Sequence, residues 1–303
     1  MAEQQHVPVL VDEVRALLQP ERGGTFVDCT VGLGGHAQAL LEAGATRVLG
    51  LDRDTQALAS ARARLASYGD RVELVHADFR SVDSVLGTRG IEAVDGALAD
   101  LGVSSLQLDG AGRGFSFQRD EPLDMRMDMT SGQTAAELVA RSSERELADA
   151  IYAFGEERHS RRIAKAIVEA RRDQPIETTG RLAAIVRRAA GHRGYQRIDP
   201  ATRTFQAFRI WVNRELEGLD RFVGDAVGRL RAGARLVVIS FHSLEDRIVK
   251  HALRALAAGR AATIEVLTKK PIVPGEEELR SNPRARSAKL RAAARLSPAL
   301  SIG

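Results

Sequence analysis

The sequence predicts an α/β fold with a doubly wound, mostly parallel sheet that a helical insertion interrupts. Three observations predict it: apolar strands alternate with amphipathic helices over the first hundred residues, the alternation stops after Asp100, and it resumes beyond Val212. Strands at such spacing are joined by right-handed crossovers within one sheet. The predicted boundaries are residues 1–105 and 213–303 for the sheet domain and 106–212 for the insertion.

The elements of the sheet domain are short apolar runs separated by amphipathic segments. Four strands are predicted at residues 25–27, 47–51, 72–75 and 94–99. Asp54 can cap the helix after the second strand, and Ser243 with Asp246 resembles a capping box before a late helix. A fifth strand at 235–240 and an antiparallel pair at 263–267 and 288–293 complete the predicted sheet.

The insertion is predicted to be helical, because we find no credible pair of strands within it. Its predicted helices cover residues 135–140, 144–154, 160–172 and 181–190. Phe208 and Trp211 lie among apolar residues near its end and are interpreted as core packing.

Composition places the chain among intracellular proteins and excludes several classes. Its 303 residues are 44% hydrophobic and 28% charged, with no run of the roughly 20 apolar residues that a membrane span requires. The single cysteine, Cys29, excludes an internal disulfide and a cysteine-based zinc cluster, and predicts a reducing, cytoplasmic location. The histidines are scattered without acidic partners at ligand spacing, so no metal site is predicted.

Basic residues form two groups that a phosphate-rich partner would favour, although each could equally be a solvated surface. The first follows residue 280 and consists of Arg280, Arg284, Arg286, Lys289, Arg291 and Arg295. The second belongs to the insertion and consists of Arg158, Arg161, Arg162, Lys165, Arg171, Arg172, Arg187, Arg188, Arg193 and Arg197, with Tyr195 among them. Ion pairs with Glu156, Glu157 and Glu169 are the alternative for the second group.

A glycine-rich turn after the first strand predicts a nucleoside cofactor. The turn begins at Asp28 and contains Gly32, Gly34, Gly35 and His36. Glycines there let the backbone turn tightly and approach a ligand.

The acidic residues at or after the ends of the predicted strands decide between two such cofactors. Asp52 ends the second strand, where a carboxylate can accept both ribose hydroxyls. The turn also fits an NAD site, but a carboxylate at Asp28 suits the cationic amine of a methionyl group and would repel a pyrophosphate. Asp78 and Phe79 after the third strand can bond an adenine amine and stack on its ring. The pattern therefore favours a methyl donor over NAD.

Ten sequence stretches, in order over nearly the whole chain, resemble the MraW family, also called RsmH, of 16S ribosomal RNA (cytosine-N4)-methyltransferases. These stretches are residues 6–10, 28–36, 100–109, 113–117, 122–127, 155–158, 200–206, 209–213, 240–249 and 282–286. The resemblance implies a class I (Rossmann-like) methyltransferase fold and S-adenosyl-L-methionine as cofactor. It also implies donor contacts at Gly34, Gly35, His36, Asp52, Phe79, Asp100 and Gln107. The implied partner is 16S rRNA within the small ribosomal subunit, and the implied target is a cytosine of its decoding region.

Three residues at strand ends are predicted to act on the acceptor base. Asp100 could accept a hydrogen of the amine, or could touch only the donor. Phe241 could stack on an extruded base or pack in the core, and His242 could bond the base edge or simply precede a helix. The alternative functions are a methyltransferase with another nucleic-acid acceptor or a protein acceptor, an NAD-dependent oxidoreductase, and a non-catalytic ribosome assembly factor that retains a donor pocket.

Overall fold

A computed structural model describes residues 8–104, 107–108, 110–191, 199–259 and 261–297. The chain divides into two compact units. The first consists of Met1–Gly102 with Leu216–Gly303, and the second of Val103–Glu215.

The first unit contains a seven-stranded sheet with the order β3-β2-β1-β4-β5-β7-β6. Its strands are β1 Thr25–Asp28, β2 Arg47–Asp52, β3 Val72–His76, β4 Val94–Asp100, β5 Leu230–Ser240, β6 Ile264–Val266 and β7 Lys289–Arg295. The first five pair in parallel, whereas β7 runs antiparallel to both β5 and β6. The predicted doubly wound, mostly parallel sheet is confirmed, and the point where strand order reverses lies between β1 and β4.

Helices cover both faces of this sheet. They are α1 Val11–Leu18, α2 Gly35–Glu42, α3 Thr55–Leu65, α4 Val82–Thr88, α10 Leu219–Gly228, α11 Ser243–Leu256 and α12 Glu276–Ser281, while α5 to α9 belong to the second unit. Two separate apolar clusters result, one around Phe222 and the other around Phe26. The central strands β1, β2 and β4 are consequently buried on both sides, which explains why they form nearly continuous apolar runs in the sequence.

The second unit is helical wherever the structure describes it as regular. Its helices are α5 Ala135–Arg141, α6 Glu144–Gly155, α7 Ser160–Asp173, α8 Thr179–Ala190 and α9 Ala201–Asn213. They bury one apolar cluster that includes Phe205 and Phe208. Asn213, at the end of α9, accepts from the Met127 amide and donates to the Met125 carbonyl, which attaches the long segment before α5 to this cluster.

The structure differs from the sequence prediction at several elements. Strand β5 begins at Leu230, before the predicted start, because Leu230 already pairs with Val94, and an irregularity in the register separates this pair from Arg235, which pairs with Gly96. The cap of α11 is His242 and not Ser243, which is the first residue of the helix. Among the described residues, no helix combines the length and apolar character needed to cross a lipid bilayer.

Candidate active site

Polar residues end all five parallel strands at one edge of the sheet. Asp28, Asp52, His76, Asp100 and Ser240 are the last residues of β1 to β5. Ligands of open α/β sheets bind at this carboxyl edge, beside the reversal of strand order. The sequence predicted Asp28, Asp52 and Asp100 as site residues, and the fold brings their strands next to one another.

The turn after β1 needs glycine at three positions, for two reasons: a left-handed backbone and a lack of space for a side chain. Gly32 and Gly34 have φ angles of 52° and 82°, in the left-handed region. A side chain at Gly34 would also meet Leu65, and one at Gly35 would lie 2.5 Å from the Pro8 ring. The turn therefore presents bare backbone at the start of α2.

Asp52 holds this turn in place with both carboxylate oxygens. It accepts from the Gly32 amide at 2.8 Å and from the Asp54 amide at 2.8 Å. Asp54 in turn caps α3, as the sequence predicted. Burial raises the pKa of Asp52, although the two amide hydrogen bonds oppose that shift. A carboxylate fixed in this way has remaining lone pairs that can accept ribose hydroxyls.

Asp28 is the most buried carboxylate of the edge, with 1% of its surface exposed. Its Oδ1 accepts from the Thr30 amide at 3.2 Å, and its Oδ2 has no hydrogen-bond partner among the described residues. Burial raises the pKa of Asp28 to about 7, against the opposing influence of His36 and of the Thr30 amide. A buried oxygen without a partner is costly, and a cationic ligand would satisfy it.

His36 and Asp100 face each other across the turn. The His36 Nε2 lies 3.7 Å from the Asp100 Oδ2, and the side chains are 7% and 23% exposed. The Asp100 amide donates to the Thr30 hydroxyl at 2.6 Å, and the Thr30 amide donates to the Asp28 carboxylate, so Thr30 fixes the Asp100 backbone and the Asp28 side chain. The sequence analysis missed Thr30; the short Asp-x-Thr spacing within the glycine turn is the signal that could have identified it.

The Phe79 ring has the surroundings of a stacking residue, but Asp78 does not have those of an adenine ligand. Phe79 meets Phe222 edge to face at 4.9 Å, and the Arg80 guanidinium lies 5.6 Å from its centroid. Asp78 binds Arg80 at 2.6 Å and Arg53 at 3.1 Å. Although burial opposes it, these arginines lower the pKa of Asp78. Asp78 thus joins the segments after β2 and β3, and the predicted adenine contact competes with two ion pairs.

Phe241 and His242 follow β5 at the same edge. A side chain at Gly102 would lie 2.6 Å from the Phe241 ring, so this glycine gives the ring its place beside the end of β4. His242 is 9% exposed and caps α11 in a capping box with Glu245. Its Nε2 lies 3.1 Å from the Glu245 Oε1, and the Phe241 amide donates to Glu245 at 2.9 Å. This local arrangement favours a positioning role for His242 over direct contact with a base.

Gln107 belongs to the second unit. It is 5% exposed, and its side-chain oxygen accepts from the Ser104 amide at 3.0 Å. Its contact with the donor remains a prediction.

The comparisons with known proteins agree over almost the full length. Residues 3–296 match the model of the MraW methylase family. The chain belongs to the MraW methylase family. Among its relatives, ribosomal RNA small subunit methyltransferase H of Sorangium cellulosum is 53% identical, with 97% of this chain and 91% of the relative covered. The protein of that name from Pelobacter propionicus is 50% identical, with 98% and 100% covered. An rRNA methylase structure from Streptococcus thermophilus shares 12% identity over 95% of this chain and 94% of that one, with a TM-score of 0.41.

Membership of this methylase family, together with the sheet topology, makes the chain an S-adenosylmethionine-dependent methyltransferase. The site fits that cofactor on its own evidence. The unsatisfied Asp28 oxygen suits a cationic ammonium group, and a side chain at Gly32 would meet only the Thr30 carbonyl, at 3.8 Å, so the turn leaves space at that position. The NAD alternative is not supported by the family match.

Several basic residues of the second unit are engaged within the protein. Arg162 donates to the Ala190 carbonyl. Arg171 donates to the carbonyls of Val139 and Ser142, which satisfies the carboxyl end of α5. These two side chains stabilise helix ends and are not available to RNA in this arrangement.

The remaining basic residues of the second unit divide into paired and exposed sets. Arg187 binds Asp199 at 2.8 Å, and Lys165 approaches Glu169 at 3.8 Å. In the part of the chain that the structure describes, four exposed arginines make no ion pair: Arg158, Arg161, Arg172 and Arg188. Three further predicted residues lie outside the described residues: Arg193, Tyr195 and Arg197.

The basic group after residue 280 is smaller than the sequence suggested. Arg291 is 6% exposed and binds Asp246 at 2.6 Å, and Lys289 lies 3.8 Å from the same carboxylate. Arg291 therefore stabilises the contact between β7 and α11 and belongs to no exposed basic surface.

Proposed function

We propose that the chain transfers a methyl group from S-adenosylmethionine to the exocyclic N4 of a cytosine in the decoding region of 16S rRNA. The observation that carries this proposal is the buried acidic edge, open to a cationic ligand, in a chain whose relatives are named ribosomal RNA small subunit methyltransferases. An enzyme with this substrate acts where small ribosomal subunits are assembled, which agrees with the predicted cytoplasmic location.

The donor would be held by residues of the first unit. Asp28 would bind the methionyl ammonium through its free oxygen, and Asp52 would accept the ribose hydroxyls. Phe79 would stack on the adenine, supported from behind by Arg80 and Phe222. Bound in this way, the cofactor supplies an electrophilic methyl group on a cationic sulfur.

The acceptor would meet Asp100 and Phe241. A cytosine amine is a weak nucleophile because its lone pair is delocalised into the ring. Asp100, the more exposed of the pair that it forms with His36, can accept an amine hydrogen and favour a tetrahedral nitrogen. Phe241 would stack on the extruded base, and the cap formed by His242 and Glu245 would keep Phe241 in position.

Recognition of RNA would fall to the second unit, residues 103–215. Arg161 and Arg172 are eleven residues apart in α7, three helical turns, and therefore lie on one helix face. Arg188 stands on the neighbouring helix α8. Exposed guanidinium groups without acidic partners bind phosphate and stack on bases.

Mass spectrometry of 16S rRNA from cells that lack this gene tests the proposal. We expect one cytosine N4 methyl group to disappear and to return with the parent gene. An Asp100→Asn gene should not restore it, whereas Asp149→Asn, a matched change of an exposed carboxylate, should. Persistence of the methyl group without the gene, or loss of a methyl group at another atom or in another RNA, would overturn the proposal.

A further inference from the structure

The His36 side chain is buried at the donor edge without a hydrogen bond to either ring nitrogen. It is 6% exposed, and neither Nδ1 nor Nε2 has a hydrogen-bond partner among the described residues. The Asp100 Oδ2 lies 3.7 Å from Nε2. Burial of the ring nitrogens without partners costs folding free energy, and a state of the protein in which they gain a partner would offset that cost.

The groups that face this ring carry mostly negative charge. Asp28 on β1 and Asp100 on β4 interact with it, and Asp52 on β2 adds to the same cluster. The Arg64 guanidinium of α3 lies 3.0 Å from the point where a side chain at Gly35 would begin. Arg53 acts on Asp52 as well, and three carboxylates against two arginines favour one further positive charge at this edge.

The proposed reaction changes where that positive charge resides. The nitrogen–carbon bond forms as the carbon–sulfur bond breaks, and the electron pair stays on sulfur, which becomes a neutral thioether. The acceptor nitrogen is then left with one proton too many. Charge at the edge stays constant only if a nearby group keeps this proton.

We propose that His36 is that group: the amine proton passes to the Asp100 carboxylate and then to His36 Nε2, where it remains until the products leave. This assignment rests on the proposed function, because it requires a cationic donor and an acceptor that loses a proton. Asp100 is the more exposed partner and would receive the proton from the acceptor, whereas His36 is shielded from water. The imidazolium would then replace the lost sulfonium as the counterion of the carboxylates.

Proton uptake on ligand binding tests the assignment without any turnover. Calorimetric titrations of S-adenosylmethionine and S-adenosylhomocysteine, in buffers of different ionisation enthalpy at pH 6.5, give the number of protons bound with each ligand. We expect the neutral thioether to take up about one proton more than the sulfonium in the parent chain. Both ligands carry the same ammonium group opposite Asp28, so its ionisation cancels in the difference.

The variants assign that proton to a residue. His36→Gln should abolish the difference, and His251→Gln, a matched change on the exposed side of α11, should preserve it. If the difference in proton uptake between the two ligands were unchanged in His36→Gln, or absent from the parent chain, only the role of His36 would be overturned. A parent chain that binds neither ligand would instead overturn the proposed donor site.

A direct measurement covers the case in which His36→Gln fails to fold. The ring-proton resonances of His36 in the parent chain should report an imidazolium with S-adenosylhomocysteine and a neutral ring with S-adenosylmethionine at the same pH. The same ring state in both complexes would refute the assignment.

Discussion

The buried Asp28 carboxyl predicts that folding stability and donor affinity respond to pH in opposite directions. Burial raises its pKa from 3.8 to about 7. A shift of roughly three units corresponds to about 4 kcal/mol between the protonated and ionised forms. Asp28→Asn removes the ionisation while keeping nearly the same shape and the oxygen that accepts from Thr30.

The sign for stability follows from the raised pKa. Below about pH 4 the carboxyl is protonated in both folded and unfolded chains, and its contribution to the free energy of unfolding is fully present. Between about pH 4 and 7 the unfolded chain releases the proton and the folded chain retains it, so this stability is lost as the pH rises. Relative to Asp28→Asn, the parent should lose about 2–3 kcal/mol of unfolding free energy between about pH 5 and 8.

Donor affinity should move the other way. The ammonium group needs the ionised carboxylate, so S-adenosylmethionine must displace the Asp28 proton below about pH 7. Its affinity for the parent chain should therefore fall about tenfold from about pH 8 to 6. Asp28→Asn should bind the donor more weakly at pH 8 and show little of this pH dependence.

Urea unfolding and calorimetry at several pH values measure both quantities on the same preparations. Asp149→Asn, with an exposed carboxyl, is the matched control and should follow the parent in both. If the parent and Asp28→Asn chains lost stability in parallel as the pH rose, the raised pKa would not be the cause. If donor affinity were equal in the two chains at pH 8, Asp28 would not bind the ammonium.

Three further predictions concern residues whose roles the structure separates. Arg172→Ala should weaken RNA binding and flatten its dependence on salt without a change in folding stability. The adjacent Arg171→Ala should instead lower folding stability by about 1–3 kcal/mol, because two carbonyls lose their donor. Equal effects of the two variants on RNA binding would contradict these separate roles. Asp78→Asn should weaken the binding of S-adenosylhomocysteine and of its analogue without the adenine amine by the same factor, because Asp78 binds Arg53 and Arg80. A loss confined to the ligand that carries the amine would show that Asp78 contacts the adenine. Gly90→Ala, at positive φ with open space around it, should cost about 1 kcal/mol in urea unfolding. Gly34→Ala should cost at least as much, because its side chain also meets Leu65, and it alone should lose donor affinity, because Gly34 lies in the donor turn.

The central strands could be predicted because β1, β2 and β4 are buried on both faces. Continuous apolar runs with polar ends give both the strand and the location of the site, as at Asp28 and Asp100. Helix α9 was not predicted: its residues were interpreted as core packing, and Phe208 and Trp211 do pack on one another at 6.3 Å. Apolar spacing alone did not give the bounds of that helix.

Side-chain partners were the part that sequence reasoning could not supply. The sequence analysis assigns Asp78 to adenine because nothing in its neighbourhood along the chain reveals that Arg53 reaches it from the segment after β2. The cap of α11 moved to His242 for a related reason, since imidazole is an uncommon cap and only the proximity of Glu245 makes it effective. Contacts of this kind depend on the register of β2 and β3 and on local geometry at the end of β5.

The carboxylates of the acidic edge differ in how far the protein stabilises their buried negative charge. Asp52 is stabilised by two amides and Asp28 by one, but Asp28 keeps an oxygen without a partner, and the fold holds no arginine against it among the described residues. A site completed by protein cations would compete with a cationic ligand, whereas an incomplete one gains its counterion only on binding. The electrostatic cost that Asp28 bears in the free chain would therefore favour binding of the ammonium group that donor and product share, and the proposed proton on His36 would replace the sulfonium charge that the product lacks.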